Sequence, residues 1–326
     1  MQVYLHLLCF IVVCYLCVKE CYVGKYFLMA IGISLAVVAV YCWSLIFFVE
    51  SYPYRFEKYW NNWLPFNSNK RHMGFDMLVG AIINLGFALS SRGLRRLAFG
   101  IFAFFCASLI IWLGGRATTL ALIGTLILFW RFYHQMNLLR HGWLFGILFF
   151  SAAALFAELG SLFDWNGLFH TVTHKLEAPS VNHYSSGRFT IWTESLLAIK
   201  DHWVLGLGPQ SFFHLFVDRF GVEHPHNAFV QILIEFGVAG LVLFLVLFCG
   251  PLYFIARVFF GAVKNVQHTT WIAAIVVLGL LFQSMFSGIF FLGKPSSYLA
   301  MALAIVWADQ LRIKASASTN PPPGSV

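Results

Sequence analysis

Charge is what this sequence of 326 residues has least of: Asp, Glu, Lys and Arg together make up 10% of it, and hydrophobic residues make up 60%. Soluble domains carry about 25% charged residues, because their surfaces face water. So few charged side chains could not cover the one or two cores that a soluble chain of this length would form. The scarcity therefore excludes an ordinary soluble protein, and lipid must surround most of the chain.

Acidic residues are the scarcer charge, since 21 basic residues face 13 acidic ones and the net charge is +8. In a membrane protein this excess suits anionic lipid headgroups or a phosphate-bearing substrate. We therefore expect membrane lipids, and no nucleic acid, among the partners. The seven cysteines lie in or beside apolar runs and are typical of small hydrophobic residues, so a metal or redox site at Cys14-x-x-Cys17 is disfavoured.

Most of the sequence consists of long apolar runs. A helix needs about 20 apolar residues to cross the hydrocarbon layer of a membrane. Nine such runs predict an all-α, polytopic transmembrane helix bundle, with spans at 3–18, 27–49, 73–91, 97–114, 117–133, 143–160, 228–250, 271–292 and 297–311. Six spans form an N-terminal bundle over residues 1–160 and three follow in 228–314. The proline-rich end, 315–326, is predicted to be a disordered cytoplasmic tail.

The only long polar stretch is 161–227, which is rich in histidine and acidic residues. Lys and Arg are more numerous in the short loops on the opposite side of the predicted bundle, and this places 161–227 outside the cytoplasm. We expect a large periplasmic loop that carries short interfacial helices. One of them follows a serine cap at Ser185-Ser186, with apolar residues at positions 189, 192, 196 and 199, and is predicted to lie on the membrane surface.

Two arginines lie at positions where contact with lipid alone does not explain a charged residue. Arg116 follows Gly114-Gly115 at the outer start of a span, and the two glycines would let a bulky ligand approach the backbone. Arg188 is predicted in the first turn of the loop helix, where a cation opposes the helix dipole. Each arginine could bind a phosphate, and each could instead reach the headgroups or water. The sequence leaves both interpretations open.

The densest candidate site is His224-Pro225-His226-Asn227, immediately before the apolar run 228–250. Proline favours an extended His224, and Asn227 can cap a helix, so His226 is predicted at the mouth of a transmembrane helix. An imidazole there could accept a proton from a hydroxyl near neutral pH. The alternative is a loop histidine that is hydrogen-bonded to backbone.

Other ionisable groups raise related questions. Glu235 is predicted two turns inside the membrane helix and Asp76 inside the third span, where each needs a partner or a wet cavity. His170, His174 and Glu177 have the spacing of zinc ligands on a helix but no convincing scaffold. We therefore expect no metal site.

Several of these motifs resemble those of the bacterial O-antigen ligase and polymerase superfamily, and most closely its ligases. The ligase pattern is reproduced by His226-Asn227, nine further residues and Gly237-x-x-Gly240. The other matching features are Gly115-Arg116, Gly187-Arg188-x3-Trp192 and Gly206-x-Gly208 before Phe212. Family members usually have more spans, so this chain is expected to lack part of the N-terminal bundle.

The resemblance implies a metal-independent, inverting glycosyltransferase without a cofactor, in the bacterial inner membrane and with its active site facing the periplasm. The implied donor is a glycan, the O-antigen, on undecaprenyl pyrophosphate. The implied acceptor is a sugar hydroxyl of lipid A-core, in lipopolysaccharide biosynthesis. A polymerase of glycan repeats and a protein O-oligosaccharyltransferase remain alternatives within the same fold. A transporter of polyprenyl lipids or solutes is the alternative from another class.

The resemblance also implies roles for individual residues. Arg116 and Arg188 would bind the pyrophosphate, and His226 would be the catalytic base. The supporting positions would be His224, Asn227, Glu235, Gly237 and Gly240.

Overall fold

The computed structural model describes residues 2–48, 70–135, 142–161, 185, 187–263 and 266–319. These ranges contain helices and no strand, which confirms the predicted all-α class. A 3-10 helix, Ile289–Phe291, accompanies the α-helices. In chain order the α-helices are α1 (Gln2–Lys19), α2 (Val23–Phe48), α3 (Lys70–Ser90), α4 (Gly93–Trp112), α5 (Arg116–Gln135), α6 (Gly142–Ser161), α7 (Arg188–Ala198), α8 (Ser211–Phe220), α9 (Ala228–Phe259), α10 (His268–Ser284) and α11 (Gly293–Thr319).

Every predicted span overlaps one of these helices. By length and composition, four helices in the described ranges can cross a membrane: α2, His72–Ser90 within α3, α4 and α9. Shorter apolar helices occur at Leu5–Lys19, Gly146–Glu158 and His268–Ser284. These apolar helices indicate a helical membrane protein, while the number of nine spans stays a prediction.

Two predicted boundaries differ from the structure. The span predicted at 271–292 is not one helix, because α10 ends at Ser284, whose hydroxyl bonds the Leu281 carbonyl 2.6 Å away. At the other end of the chain, α11 continues to Thr319, into the tail that was predicted to be disordered from residue 315. Alanine and serine at 315–319 are compatible with a helix, whereas the prolines that follow are not. Residues 320–326 lie outside the described ranges.

Helix α3 forms the centre of the bundle and packs against α2, α4, α5 and α10. Lipid gives no hydrophobic drive for helices to associate, so close packing depends on small residues at the contacts. A Cβ atom at Gly86 would lie 2.5 Å from Ile272, and one at Gly32 would lie 2.7 Å from Ile83. The amide of Asn84, in the middle of α3, donates to the Gly32 carbonyl at 2.7 Å. The bundle around α3 is therefore tightly packed.

Helix α9 lies at the edge of the bundle and is broken at Gly237, where φ is 63° and ψ is −163°. Beyond the break, apolar side chains such as Leu243 and Val246 are exposed, as expected of a lipid-facing helix. Residues 238–259 rise about 33 Å, enough to cross a hydrocarbon layer of about 30 Å. The segment 228–236 is therefore not needed to cross the membrane, and the depth of Glu235 in the membrane stays a prediction.

A second, smaller core joins α7, α8 and the first part of α9. Its buried members are Ile191, Ile199, Phe212, Phe216 and Ile234. On the surface of this unit, the Arg219 guanidinium donates two hydrogen bonds of 3.0 Å to the Glu194 carboxylate, which ties α8 to α7. Because Ile234 belongs to α9, the predicted boundary at residue 227 passes through this core.

Candidate active site

The two histidines of the His224-Pro225-His226 motif are buried against each other. Their ring centroids are 4.3 Å apart and the rings are nearly perpendicular. The backbone N–H of His226 donates to Nδ1 of His224 at 3.2 Å. A backbone N–H can only donate, so Nδ1 of His224 acts as the acceptor and carries no proton in this arrangement. His224 thus fixes the loop, and the His226 imidazole is the candidate for proton transfer.

His226 has a left-handed backbone, with φ at 54°, which costs a residue other than glycine about 1–2 kcal/mol. Contacts on both sides hold it there. The Trp192 indole N–H donates to the Pro225 carbonyl at 2.8 Å. The Asn227 side chain accepts from the backbone N–H groups of Phe229 and Val230 at 2.9 and 3.1 Å, which confirms the predicted N-cap. Strained backbone that is held by its neighbours is typical of functional sites.

Arg188 is the first residue of α7, as predicted, but the helix does not begin with a serine cap. The N-cap is Gly187, which has φ at 78° and gives the helix no side-chain cap. A glycine suits this position because the left-handed region is open to it without a steric penalty. Arg188 precedes Trp192 by one helical turn, so both lie on the face of α7 that contacts Pro225.

The apolar stripe predicted for α7 is only partly right. Ile191 and Ile199 point into the second core, whereas Phe189 and Leu196 are about half exposed. The reason is that α8 and α9 supply the other half of that core and set which face of α7 turns inward. The exposed apolar side chains are compatible with the predicted position at a membrane surface.

Arg116 is the first residue of α5, as predicted. Gly114 has φ at 66°, and its backbone N–H donates to the Ile111 carbonyl at 3.0 Å, so it ends α4 and reverses the chain. This turn accounts for Gly114 without the ligand that the sequence suggested. In the first turn of α5, the Thr118 hydroxyl accepts a hydrogen bond from the Gln283 side-chain amide at 2.8 Å.

Contacts around Gln283 connect the start of α5 with the histidine loop. Gln283 lies in the last turn of α10, and Gly288, in the segment after that helix, lies against His224. A Cβ atom at Gly288 would lie 2.5 Å from Nδ1 of that imidazole. The first residues of α5, α7 and α9 are therefore at one end of the molecule, which we call the histidine end. Arg116, Arg188 and His226 are all located there.

The break in α9 lies beside the turn between α7 and α8. Four backbone hydrogen bonds of 2.8–3.0 Å join the two: Leu207 to Ile234, Gly208 to Glu235, Val238 to Trp203 and Ala239 to Val204, donor first. A broken helix exposes backbone groups that lipid cannot satisfy. The turn satisfies these four, so it stabilises the break.

Glycines allow this close approach. A Cβ atom at Gly237 would overlap the Val204 carbonyl oxygen and lie 2.6 Å from the Gly206 nitrogen. One at Gly206 would lie 2.6 Å from the Gly237 nitrogen, and one at Gly240 would overlap the Cβ of Phe236. The two glycine motifs noticed in the sequence thus contact each other through Gly206 and Gly237.

The carboxylates in question have partners. Glu235 accepts a hydrogen bond of 3.3 Å from the side-chain amide of Gln231, one turn earlier in α9. Asp76, buried in α3, lies 3.8 Å from the Lys294 ammonium and has Tyr298 nearby.

Sequence reasoning missed Thr118, Gln283 and Gly288. The signals were a threonine just after Arg116, and an amide and a glycine in the run that was interpreted as a single span. The alternative zinc ligands His170 and His174, with Glu177, lie outside the described residues. Within the described ranges, no group of three or more His, Cys, Asp and Glu side chains has a metal-binding arrangement.

Part of the chain matches a known family. Residues 101–245 match the family model described as O-antigen ligase. The matched range runs from α4 into α9 and includes the first residues of α5, α7 and α9. The comparisons with curated proteins and with solved structures found no match.

Proposed function

We propose that this chain, which matches the O-antigen ligase family model over residues 101–245, transfers a glycan from undecaprenyl pyrophosphate to an acceptor hydroxyl. The acceptor is a sugar of lipid A-core, and the reaction takes place at the periplasmic face of the bacterial inner membrane. The observation that carries the proposal is the buried, left-handed His226 at the start of α9, inside the matched range.

In the proposed reaction the acceptor oxygen attacks the anomeric carbon of the donor sugar. The bond between that carbon and the pyrophosphate oxygen breaks, and the configuration at the carbon inverts. The proton of the acceptor hydroxyl goes to the His226 imidazole, which acts as general base. Undecaprenyl pyrophosphate leaves with the electron pair. Pyrophosphate leaves readily once its charge is balanced, so the proposal includes neither a metal ion nor a cofactor.

Arg116 and Arg188 balance that charge in the proposed site. A guanidinium can donate two parallel hydrogen bonds to phosphate oxygens. Each arginine opens a helix that has no acidic residue in its first turn. The positive end of a helix dipole favours an anion at the same place. The start of each helix therefore suits a bound phosphate.

Reconstitution tests the proposal. The purified protein is placed in liposomes with the lipid-linked donor and lipid A-core, and both glycan transfer and release of undecaprenyl pyrophosphate are measured. The variant His226→Asn removes the base but keeps a residue that tolerates a left-handed backbone. We expect transfer to fall by about 100-fold or more, with the melting temperature little changed. Transfer by this variant at the wild-type rate would remove His226 from the mechanism.

The same assay distinguishes the alternatives when the acceptor is changed. Elongation of a second lipid-linked glycan, with none on lipid A-core, would identify a polymerase instead. Glycan found only on an added protein acceptor would identify a protein O-oligosaccharyltransferase. Movement of the lipid-linked donor across the vesicle membrane, unaffected by His226→Asn and without transfer, would support a carrier.

A further inference from the structure

A groove lies at the end of α4 that is opposite the histidine end, about 30 Å away along the helix. Helices α3, α4 and α6 form it, and its volume is about 480 Å³, within the range of ligand-binding pockets. The walls are apolar and include Leu85, Leu89, Leu97, Ile101, Phe104 and Phe149. Arg96 is the one charged residue among the described residues that line it. The groove is partly open, so a chain-like molecule can enter it.

Positive charge is concentrated at the mouth of this groove. Arg92 is the N-cap of α4, and Arg95 and Arg96 lie in its first turn, where there is no acidic residue. All three side chains are exposed. A cation at this end of a helix is repelled by the helix dipole. The ion pairs found in the described part of the chain involve other residues, so this charge is not balanced by them.

We propose that the groove binds one anionic phospholipid, with the phosphate at the arginines and an acyl chain along the apolar walls. Basic pockets between membrane helices bind anionic headgroups in this way. A free anion would leave the apolar walls uncovered, and a zwitterionic lipid would not balance the arginines. The site is separate from the proposed transfer reaction, and its test measures binding alone.

Native mass spectrometry of the full chain in mild detergent can measure this binding. Phosphatidylglycerol and phosphatidylcholine with identical acyl chains are the probes. We expect the wild type to bind phosphatidylglycerol at least tenfold more tightly. Arg96→Gln should weaken phosphatidylglycerol about fivefold and leave phosphatidylcholine almost unchanged. Arg131→Gln, an exposed arginine of α5 that does not line the groove, is the matched control and should bind as the wild type does.

A second pair of variants tests the groove itself. Gly100 lines the groove, and a Cβ atom there would meet nothing within 4 Å, so the ring of Gly100→Phe would occupy the space of the acyl chain. We expect phosphatidylglycerol binding to fall tenfold or more. Gly124→Phe adds the same ring at an equally open position of α5, outside the groove, and should change nothing.

Three results would overturn the proposal. They are equal affinity of the wild type for both lipids, wild-type binding by Gly100→Phe, and equal loss of binding in Gly124→Phe. Melting temperatures of the variants are measured in parallel. If Gly100→Phe does not fold, Arg96→Gln still tests the proposal, because unchanged phosphatidylglycerol binding by that variant would contradict a role for the arginines.

Discussion

Replacing Gly237 by alanine should open the junction between α9 and the turn that precedes α8. With φ at 63° and ψ at −163°, this residue occupies a backbone region that is essentially restricted to glycine. An added methyl group would also overlap the Val204 carbonyl oxygen, which belongs to backbone and cannot rotate away. The turn and the helix must therefore separate if alanine is to be accommodated.

Two contributions set the free energy by which Gly237→Ala destabilises the closed junction. Forcing alanine into this backbone region costs about 1–3 kcal/mol. Separating the chains weakens the hydrogen bonds from Val238 to Trp203 and from Ala239 to Val204, at about 0.5–1.5 kcal/mol each. The sum is on the order of 3 kcal/mol, which corresponds to an opening equilibrium roughly 100-fold more favourable.

Hydrogen exchange measured by mass spectrometry reports this opening directly. In the wild type, the backbone N–H groups of Leu207, Gly208, Val238 and Ala239 are hydrogen-bonded across the junction and should exchange slowly. In Gly237→Ala they should exchange about 100-fold faster, while the peptides of α3 stay unchanged.

The matched control is Gly124→Ala. Gly124 lies inside a helix, where an added Cβ atom meets nothing within 4 Å, and alanine is the better helix former by about 1 kcal/mol. This variant should leave exchange at the junction as it is in the wild type. Wild-type exchange at the junction in Gly237→Ala would refute the reasoning, because the backbone conformation could then not require glycine.

Three further predictions concern the proposed reaction. Arg116→Gln and Arg188→Gln should each lower transfer roughly 100-fold. The control Arg219→Gln breaks an exposed ion pair and should change transfer little. Equal transfer rates for all three variants would contradict the phosphate role. Trp192→Phe loses the hydrogen bond to the carbonyl between the two histidines and should lower transfer several-fold, while Trp203→Phe, at an exposed position, serves as the control and should not. EDTA should leave the rate unchanged, and inhibition that zinc reverses would instead support a metal site in the long loop.

Much of the fold can be predicted from the sequence because lipid restricts the choice. A spanning segment must satisfy its own backbone hydrogen bonds, so an apolar run of sufficient length becomes a helix. The N-cap at Asn227 could also be predicted from the neighbouring residues, because a side-chain acceptor before an apolar run indicates the start of a helix. The N-cap predicted at Ser185-Ser186 was wrong, because a left-handed Gly187 starts α7 without any side-chain acceptor.

The break in α9 could not be predicted in the same way. The run that begins at Ala228 has the composition of one continuous span, and its hydropathy gives no sign of a break at Gly237. The break exists because a distant segment, with Gly206 at its centre, supplies hydrogen bonds to the interrupted helix. Hydropathy depends on neighbours in the chain and contains no information about such a partner. The pair Gly237-x-x-Gly240 in an apolar run was the only local signal.

The break also gives a physical reason for the spacing between the histidine and glycine motifs. The residues from Ala228 to Phe236 form about two and a half helical turns, which fix the distance and the rotation between His226 and the break. The turn bonded to that break leads back into α7, whose first residue is Arg188. Trp192 then returns from α7 to the carbonyl beside His226. The contacts thus run from His226 through the break back to α7, so the same short helix holds both His226 and Arg188 and the two residues cannot shift independently.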